Sequence, residues 1–290
     1  MKTPGLEPEV GKETGLFGLL CATPMEMASV LPLLTDATDR IAPGGMRLVE
    51  GKVGGNEVLA LSAGVGKVAA AAGTRFLLDR YPLEALLICG IAGALSPDVR
   101  LGDLVIATEL VPGDVGIAHS GGFSTTGPGL CEEGRLVFHP SFPAPASWVE
   151  SARMAAEAAG LPYRLGKVLT CDQVVLDPEL RAHLGDAFGA LAVEMEGAAA
   201  AQVAAGEGLP FCAVRSISDE LCHDFVGLER LLEYKGQSRH NVWHKRFRLT
   251  VTDPDTLARA RGMARGRDLA LVSMASFLRS FLTDTGKTPL

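Results

Sequence analysis

The sequence predicts one α/β domain, and three junctions between an apolar run and a helix-like segment predict it. Ala190 to Val193 is short and apolar, stops at Glu194-Met195-Glu196, and continues from Gly197 to Ala205 in small, helix-compatible side chains. Phe211-Cys-Ala-Val-Arg215-Ser216-Ile217-Ser218-Asp219 again runs apolar and then turns polar. Leu16 to Ala22 ends in Thr23-Pro24-Met25-Glu26-Met27 and leads into helical spacing up to Leu34. In open α/β sheets ligands gather at the carboxyl ends of strands, so strand ends that finish in carboxylates are candidate parts of one site. Carboxylates also suit the first turn of any helix, so an isolated Glu at such a junction carries little by itself.

With 290 residues, 47% of them hydrophobic and 21% charged, the chain is long enough for one large core. The expected organisation is a disordered tail over 1–14 and a single domain over 15–290, with insertions near 120–146 and 221–262. A net charge of -7 and a pI near 5.4 argue against nucleic acid or an anionic membrane surface as partner, which leaves a small molecule. The cysteines at 21, 89, 131, 171, 212 and 222 contain no C-x-x-C pair, and several lie in apolar runs, as expected of free thiols in a reducing cytoplasm. The first 14 residues lack the apolar core of a signal peptide or membrane span.

Along the chain, Met46 to Val53 and Glu57 to Ser62 alternate around Gly54-Gly55-Asn56 and predict a hairpin. Ala63-Gly-Val-Gly66-Lys67 is not a phosphate loop, because the required earlier glycine is Leu61 and the residue after Lys67 is Val68. Glu84 to Cys89 predicts a buried strand running into Gly90-Ile91-Ala92-Gly93, and Leu101 to Ala107 follows it. From Ser120 to Ala146 the composition turns to Gly, Ser, Thr and Pro, which reads as a long loop. Trp148 to Ala159 predicts a helix, Tyr163 to Leu169 a strand, and Thr170 to Val175 a turn. Arg239 to Arg248 is a basic cluster in an acidic chain. His240 and His244 in it have helical metal-pair spacing, but no Cys or carboxylate completes the set, so neither metal nor cofactor is expected. Arg267 to Leu282 predicts an amphipathic closing helix.

Val193-Glu-Met-Glu-Gly-Ala198 together with Val214-Arg-Ser-Ile-Ser-Asp219 resembles the nucleoside phosphorylase superfamily, most closely its 5'-methylthioadenosine/S-adenosylhomocysteine nucleosidase branch. The resemblance runs with interruptions from Gly18 to Asp219. It implies a three-layer αβα fold with a central mixed sheet and a homodimer whose partner loops finish the pocket. It also implies site residues. Glu26 falls where those nucleosidases hold and activate water, with Arg215 steadying the water site. Asp219, oriented by Ser218, would hold or relay a proton to the purine ring. Glu196 would accept hydrogen bonds from the ribose hydroxyls, Met195 would pack on the sugar's apolar face, and Glu194 would either assist or serve the structure.

Two positions depart from the branch. The phosphorylases bind phosphate with an Arg and a Ser where this chain has Ile88 and Ile91, so water is favoured over phosphate as the attacking group. Ile91 resembles the futalosine hydrolases instead, and Val174 stands where an aromatic would stack on the base, next to the backbone contact near Val175. Three readings therefore stand: hydrolysis of methylthioadenosine or adenosylhomocysteine, hydrolysis of futalosine or another 5'-modified nucleoside, and non-catalytic nucleoside binding. The basic insertion reads by default as a solvated helix face or a subunit contact; the sharper alternative has it close over the 5' substituent and recognise an anionic group there.

Overall fold

The computed structural model describes residues 15–120, 122–223, 225 and 254–284. The expected tail over 1–14 and the basic cluster with His240 and His244 lie outside the described residues. Strand β1 (Leu16–Cys21) leads through Thr23 into helix α1 (Pro24–Val30), where Thr23 and Glu26 form a capping box and Pro24 opens the helix. A single 3₁₀ turn at Leu31–Leu33 ends the segment earlier than the predicted Leu34. An exposed strand that the sequence reading passed over, β2 (Thr35–Ile41), pairs with β3 (Arg47–Val53), which forms the predicted hairpin with β4 (Asn56–Ser62). Helix α2 (Lys67–Leu78) and strands β5 (Ala85–Ala94) and β6 (Leu104–Pro112) follow. The strand predicted to end at Cys89 continues through Gly90 to Gly93, which belong to β5 and keep its ladder with β14 (Phe211–Asp219).

The segment read as a loop over 120–146 folds into two small antiparallel hairpins, β7 (Gly116–His119) with β8 (Gly122–Thr125) and β9 (Gly129–Glu132) with β10 (Arg135–Phe138). Glu133 and Gly134, both at positive φ, make the second turn. β11 (Phe142–Pro143) then edges β6. Helix α3 (Ala146–Ala158), β12 (Tyr163–Thr170), α4 (Pro178–Phe188), β13 (Ala190–Glu194), α5 (Gly197–Gly206), β14 and α6 (Pro254–Asp284) complete the chain.

The ten-stranded sheet runs β11-β6-β12-β13-β5-β1-β4-β3-β2, with β14 paired to both β5 and β6. That extra pairing closes β5, β14, β6, β12 and β13 into a ring, while β1 to β4 remain an open wing. Parallel pairs (β1 with β4 and β5, β14 with β5, β12 with β6 and β13) mix with antiparallel ones (β13 with β5, β14 with β6).

Each face carries its own core. Phe17, Leu19 and Cys21 of β1 face α1, α3 and α6, meeting Met27, Ala152, Met274, Phe277 and Phe281. Leu20, one step out of phase on β1, faces the other way, toward the cluster built by Ala70 and Leu77 of α2 and Ala198, Ala201 and Ala204 of α5. The result is the expected αβα arrangement. On α6, Ala270, Met274, Phe277, Leu278 and Phe281 are buried and repeat every three or four residues, as an amphipathic helix requires. No helix among the described residues is long and apolar enough to cross a membrane.

Candidate active site

Four of the residues singled out from the sequence, Glu26, Arg215, Ser218 and Asp219, meet the end of β5. Glu26 is 4% exposed despite its charge, and four donors hold it there. Its Oε2 accepts from the Ala22 and Thr23 amides at 3.0 and 2.8 Å and from Thr23 Oγ1 at 3.0 Å, and its Oε1 accepts from the Ile91 amide at 3.0 Å. Gly90 leaves space for it: a Cβ there would collide with both Glu26 Oε1 and Arg215 Nη1. Three residues further, at Gly93, a Cβ would collide with Arg181 Nη2 and lie 2.8 Å from Asp219 Oδ2. The two glycines of Gly90-Ile91-Ala92-Gly93 therefore seat the two charged centres, roughly 10 Å apart along one strand.

Glu194 and Glu196 have different surroundings. Glu194 Oε2 accepts from the Glu196 and Gly197 amides at 3.0 and 2.7 Å and pairs with Arg215 Nη2; its Oε1 takes the Gly197 amide at 3.0 Å and the Thr170 hydroxyl. It caps α5 and is the counter-ion of a fully buried arginine. Of the two alternatives for Glu194, assisting at the substrate or serving the structure, these contacts favour the second, because its oxygens are taken up inside the protein. Gly197 is what permits this cap: a Cβ at that position would come within 3.0 Å of Glu194 Oε1 and 2.8 Å of Leu110.

Glu196 has fewer partners inside the protein. It is 7% exposed, and its Oε1 accepts from the Gly66 amide at 2.8 Å. Burial, reinforced by Glu194, pushes its carboxyl up to about 7 against the opposing pull of Arg215 and the Gly66 N–H. Burial alone would depress Arg215, yet Glu194, Glu196 and Glu26 outweigh it and hold the guanidinium charged. Glu196 and Arg215 border a narrow crevice together with Cys21, Ala22, Ala63 and Gly64. Burial pushes the nearby Cys89 thiol up to about 12 and Cys21 up as well, so neither offers a thiolate.

At the end of β14, Ser218 Oγ lies 2.7 Å from Asp219 Oδ1 and 3.2 Å from the Ala92 carbonyl oxygen. Asp219 Oδ2 pairs with Arg181 Nη2, whose Nη1 donates to the Glu220 carbonyl at 3.1 Å. Met195 and Ile91 are half-buried, Val175 likewise, and Val174 is 60% exposed. Among the described residues no group of three metal-ligating side chains occurs.

A family model described as the phosphorylase superfamily matches residues 16–241. The chain belongs to the phosphorylase superfamily. A 5'-methylthioadenosine/S-adenosylhomocysteine nucleosidase of Geobacillus thermodenitrificans is 35% identical over 211 residues, spanning 72% of this chain and 86% of the relative. The crystal structure of the corresponding nucleosidase from Neisseria meningitidis, in complex with methylthio-immucillin-A, superposes with a TM-score of 0.70 at 20% identity, covering 93% of this chain and 99% of that one. The native structure of futalosine hydrolase from Helicobacter pylori gives 0.69 at 24% identity, covering 93% and 98%. At those identities both structures speak for the fold.

Two parts of this superfamily member's site were not read from the sequence. Thr23-Pro-Met-Glu26 carries the Thr-x-x-Glu signature of a capping box, which was available. Arg181 had only the helical phase of α4 to mark it: it shares the buried face with Gly185, whose lack of a Cβ lets the helix approach Leu95.

Proposed function

We propose that the protein hydrolyses the N-glycosidic bond of a 5'-modified purine nucleoside and releases the free base, with methylthioadenosine and adenosylhomocysteine as the substrates its curated relatives point to. The observation that carries this reading is the convergence on β5 of Glu26, Glu196 with Arg215, and Asp219, which supply three different functions. Breaking the bond develops positive charge on the sugar and pushes electrons into the base. Glu26 Oε2 is saturated by three donors, whereas Oε1 takes only the Ile91 amide and keeps a lone pair for an attacking water. Glu26 is the general base. Glu196 anchors the ribose hydroxyls, Met195 packs against the sugar, and Arg215 steadies the anionic floor.

Asp219, oriented by Ser218 and Arg181, assists departure of the base by holding or relaying the proton its ring nitrogen takes up. Val174 and Val175 provide an aliphatic wall for the base. Ile91 presents an apolar side chain where the phosphorolytic members bind phosphate, and a dianion would be desolvated there without a donor. A hydrolase of futalosine or another 5'-substituted nucleoside is the second reading, favoured by Val174, which offers no stacking ring, and by Ile91. We read the protein as a cytoplasmic homodimer. Free cysteines support the compartment, and apolar Ile117 and Phe123, exposed on the β7 and β8 hairpin, support a second copy covering it.

The test is incubation with methylthioadenosine, adenosylhomocysteine and futalosine, with and without phosphate, and chromatography of the products. The expected result is free base and free 5'-substituted ribose at a rate indifferent to phosphate. Sugar phosphate as product, or no base from any substrate, would overturn the reading.

A further inference from the structure

Three charged side chains outside the proposed reacting groups join the Gly66-Lys67 turn to the Thr170 to Val175 turn. Lys67 Nζ lies 2.5 Å from Asp114 Oδ1 and 3.6 Å from Asp172 Oδ2. The Lys67 amide donates to Asp172 Oδ1 at 2.9 Å, and the Asp172 amide donates to Asp114 Oδ2 at 2.8 Å. Lys67 opens α2, Asp114 follows β6 and Asp172 follows β12, so the cluster pins two strand ends to the start of a helix. The Lys67 and Asp114 side chains are only 20% and 17% exposed. Backbone as well as side-chain atoms take part, which distinguishes the cluster from a surface ion pair of negligible worth.

What these residues hold is specific. Gly66, immediately before Lys67, sits at φ +98° and aims its N–H at Glu196 Oε1. That φ disfavours any side chain there, and a Cβ would also lie in a tight 3.2 Å approach to Asp172 Oδ1. Asp172 is two residues before Val174 and three before Val175. Glu26 and Asp219 have separate supports, Ala22, Thr23 and Ile91 for one and Ser218 and Arg181 for the other.

We infer that Lys67, through Asp114 and Asp172, is a positioning residue that fixes the Gly66 N–H on Glu196 and the Thr170 to Val175 turn at the spacing a bound nucleoside requires. This rests on the reading of Glu196 as ribose anchor. None of the three touches the reacting atoms, so their loss acts on substrate binding and spares the chemical step.

The experiment is steady-state kinetics on methylthioadenosine with Lys67→Met, Lys67→Arg, Asp172→Asn, Glu196→Gln and the double variant Lys67→Met/Glu196→Gln. Lys67→Met and Asp172→Asn should raise KM about tenfold and leave kcat within about threefold of the parent, the pattern of lost uniform binding. Lys67→Arg, which retains the cation, should recover most of that KM. In the Glu196→Gln background Lys67→Met should change KM less than twofold, because Lys67 acts on binding through the ribose anchor, whose carboxylate Glu196→Gln has already removed. An unchanged KM in both Lys67→Met and Asp172→Asn, a loss carried mainly by kcat, or independent losses in the double variant would overturn the inference. Asp172→Asn is isosteric and half-exposed, so it reports even if Lys67→Met fails to fold. A parent protein inactive on every nucleoside would instead bring down the reading of the site, and the positioning role with it.

Discussion

Arg181 of α4 and Asp219 of β14 form an ion pair inside the protein, with the arginine side chain 2% and the aspartate side chain 16% exposed. Arg181 thereby joins α4 to the very strand end that presents the proposed base-side acid. Removing one member of a buried pair leaves the other charged without a partner, which costs about 3 to 5 kcal/mol when burial is complete. Arg181→Met should therefore lower stability by about 3 kcal/mol in urea denaturation, and Arg181→Lys by less. A midpoint unchanged by Arg181→Met would show that the pair does not hold this corner.

Glu26→Gln should lose both activity and stability. An amide has one acceptor oxygen and one donor nitrogen, yet both oxygens of Glu26 face N–H donors. Whichever way it turns, one donor meets another, at a cost of about 1 to 3 kcal/mol. The lost base should slow hydrolysis by about 10² to 10⁴. The check is single-turnover kinetics alongside thermal unfolding; a variant as active as the parent would remove Glu26 from the mechanism.

The neighbouring carboxylates Glu194 and Glu196 should separate cleanly by assay. Glu194→Gln strips Arg215 of its charge partner and places a donor at the start of α5, so its main effect should be a lower unfolding midpoint. Glu196→Gln keeps an oxygen for the Gly66 N–H, so it should fold normally and raise KM. Calorimetry and Michaelis kinetics on the two proteins read these apart. The reverse pattern would exchange their roles.

The Glu196 carboxyl, raised from 4.5 to about 7, gives two opposite pH trends. Because the folded protein keeps this proton when the unfolded chain has lost it, its contribution to stability is full below pH 4.5 and declines as pH rises to about 7. Hydrogen bonding to ribose hydroxyls needs the ionised form, so KM should fall as pH rises through about 7. Glu196→Gln should flatten both trends. Unfolding curves and KM measured between pH 4.5 and 8 test this, and a KM profile flat in the parent would refute the assignment.

Much of the framework was legible in the linear chain because it rests on local rules. The Gly54-Gly55-Asn56 turn between two strand-like runs marked β3 and β4, small residues after Glu196 marked α5, and the Val-Glu-Met-Glu-Gly and Arg-Ser-Ile-Ser-Asp runs pointed to both strand ends. β2 escaped notice because all its residues are exposed and carry no apolar rhythm. The hairpins β7 to β10 escaped for a similar reason: Gly, Ser and Thr set their turns, and no buried face announced the strands.

The chain alone determined which charged groups exist and which lie at the ends of apolar runs, since both follow from neighbours a few residues away. Tertiary structure decided what each group does. Two carboxylates one residue apart, Glu194 and Glu196, diverged because Arg215 and the Gly197 amide captured the first while only the Gly66 amide met the second. Arg181 became the partner of Asp219 across 38 positions of sequence. Such pairings depend on closing the sheet through β14, and only folding brings those strand ends within hydrogen-bond reach.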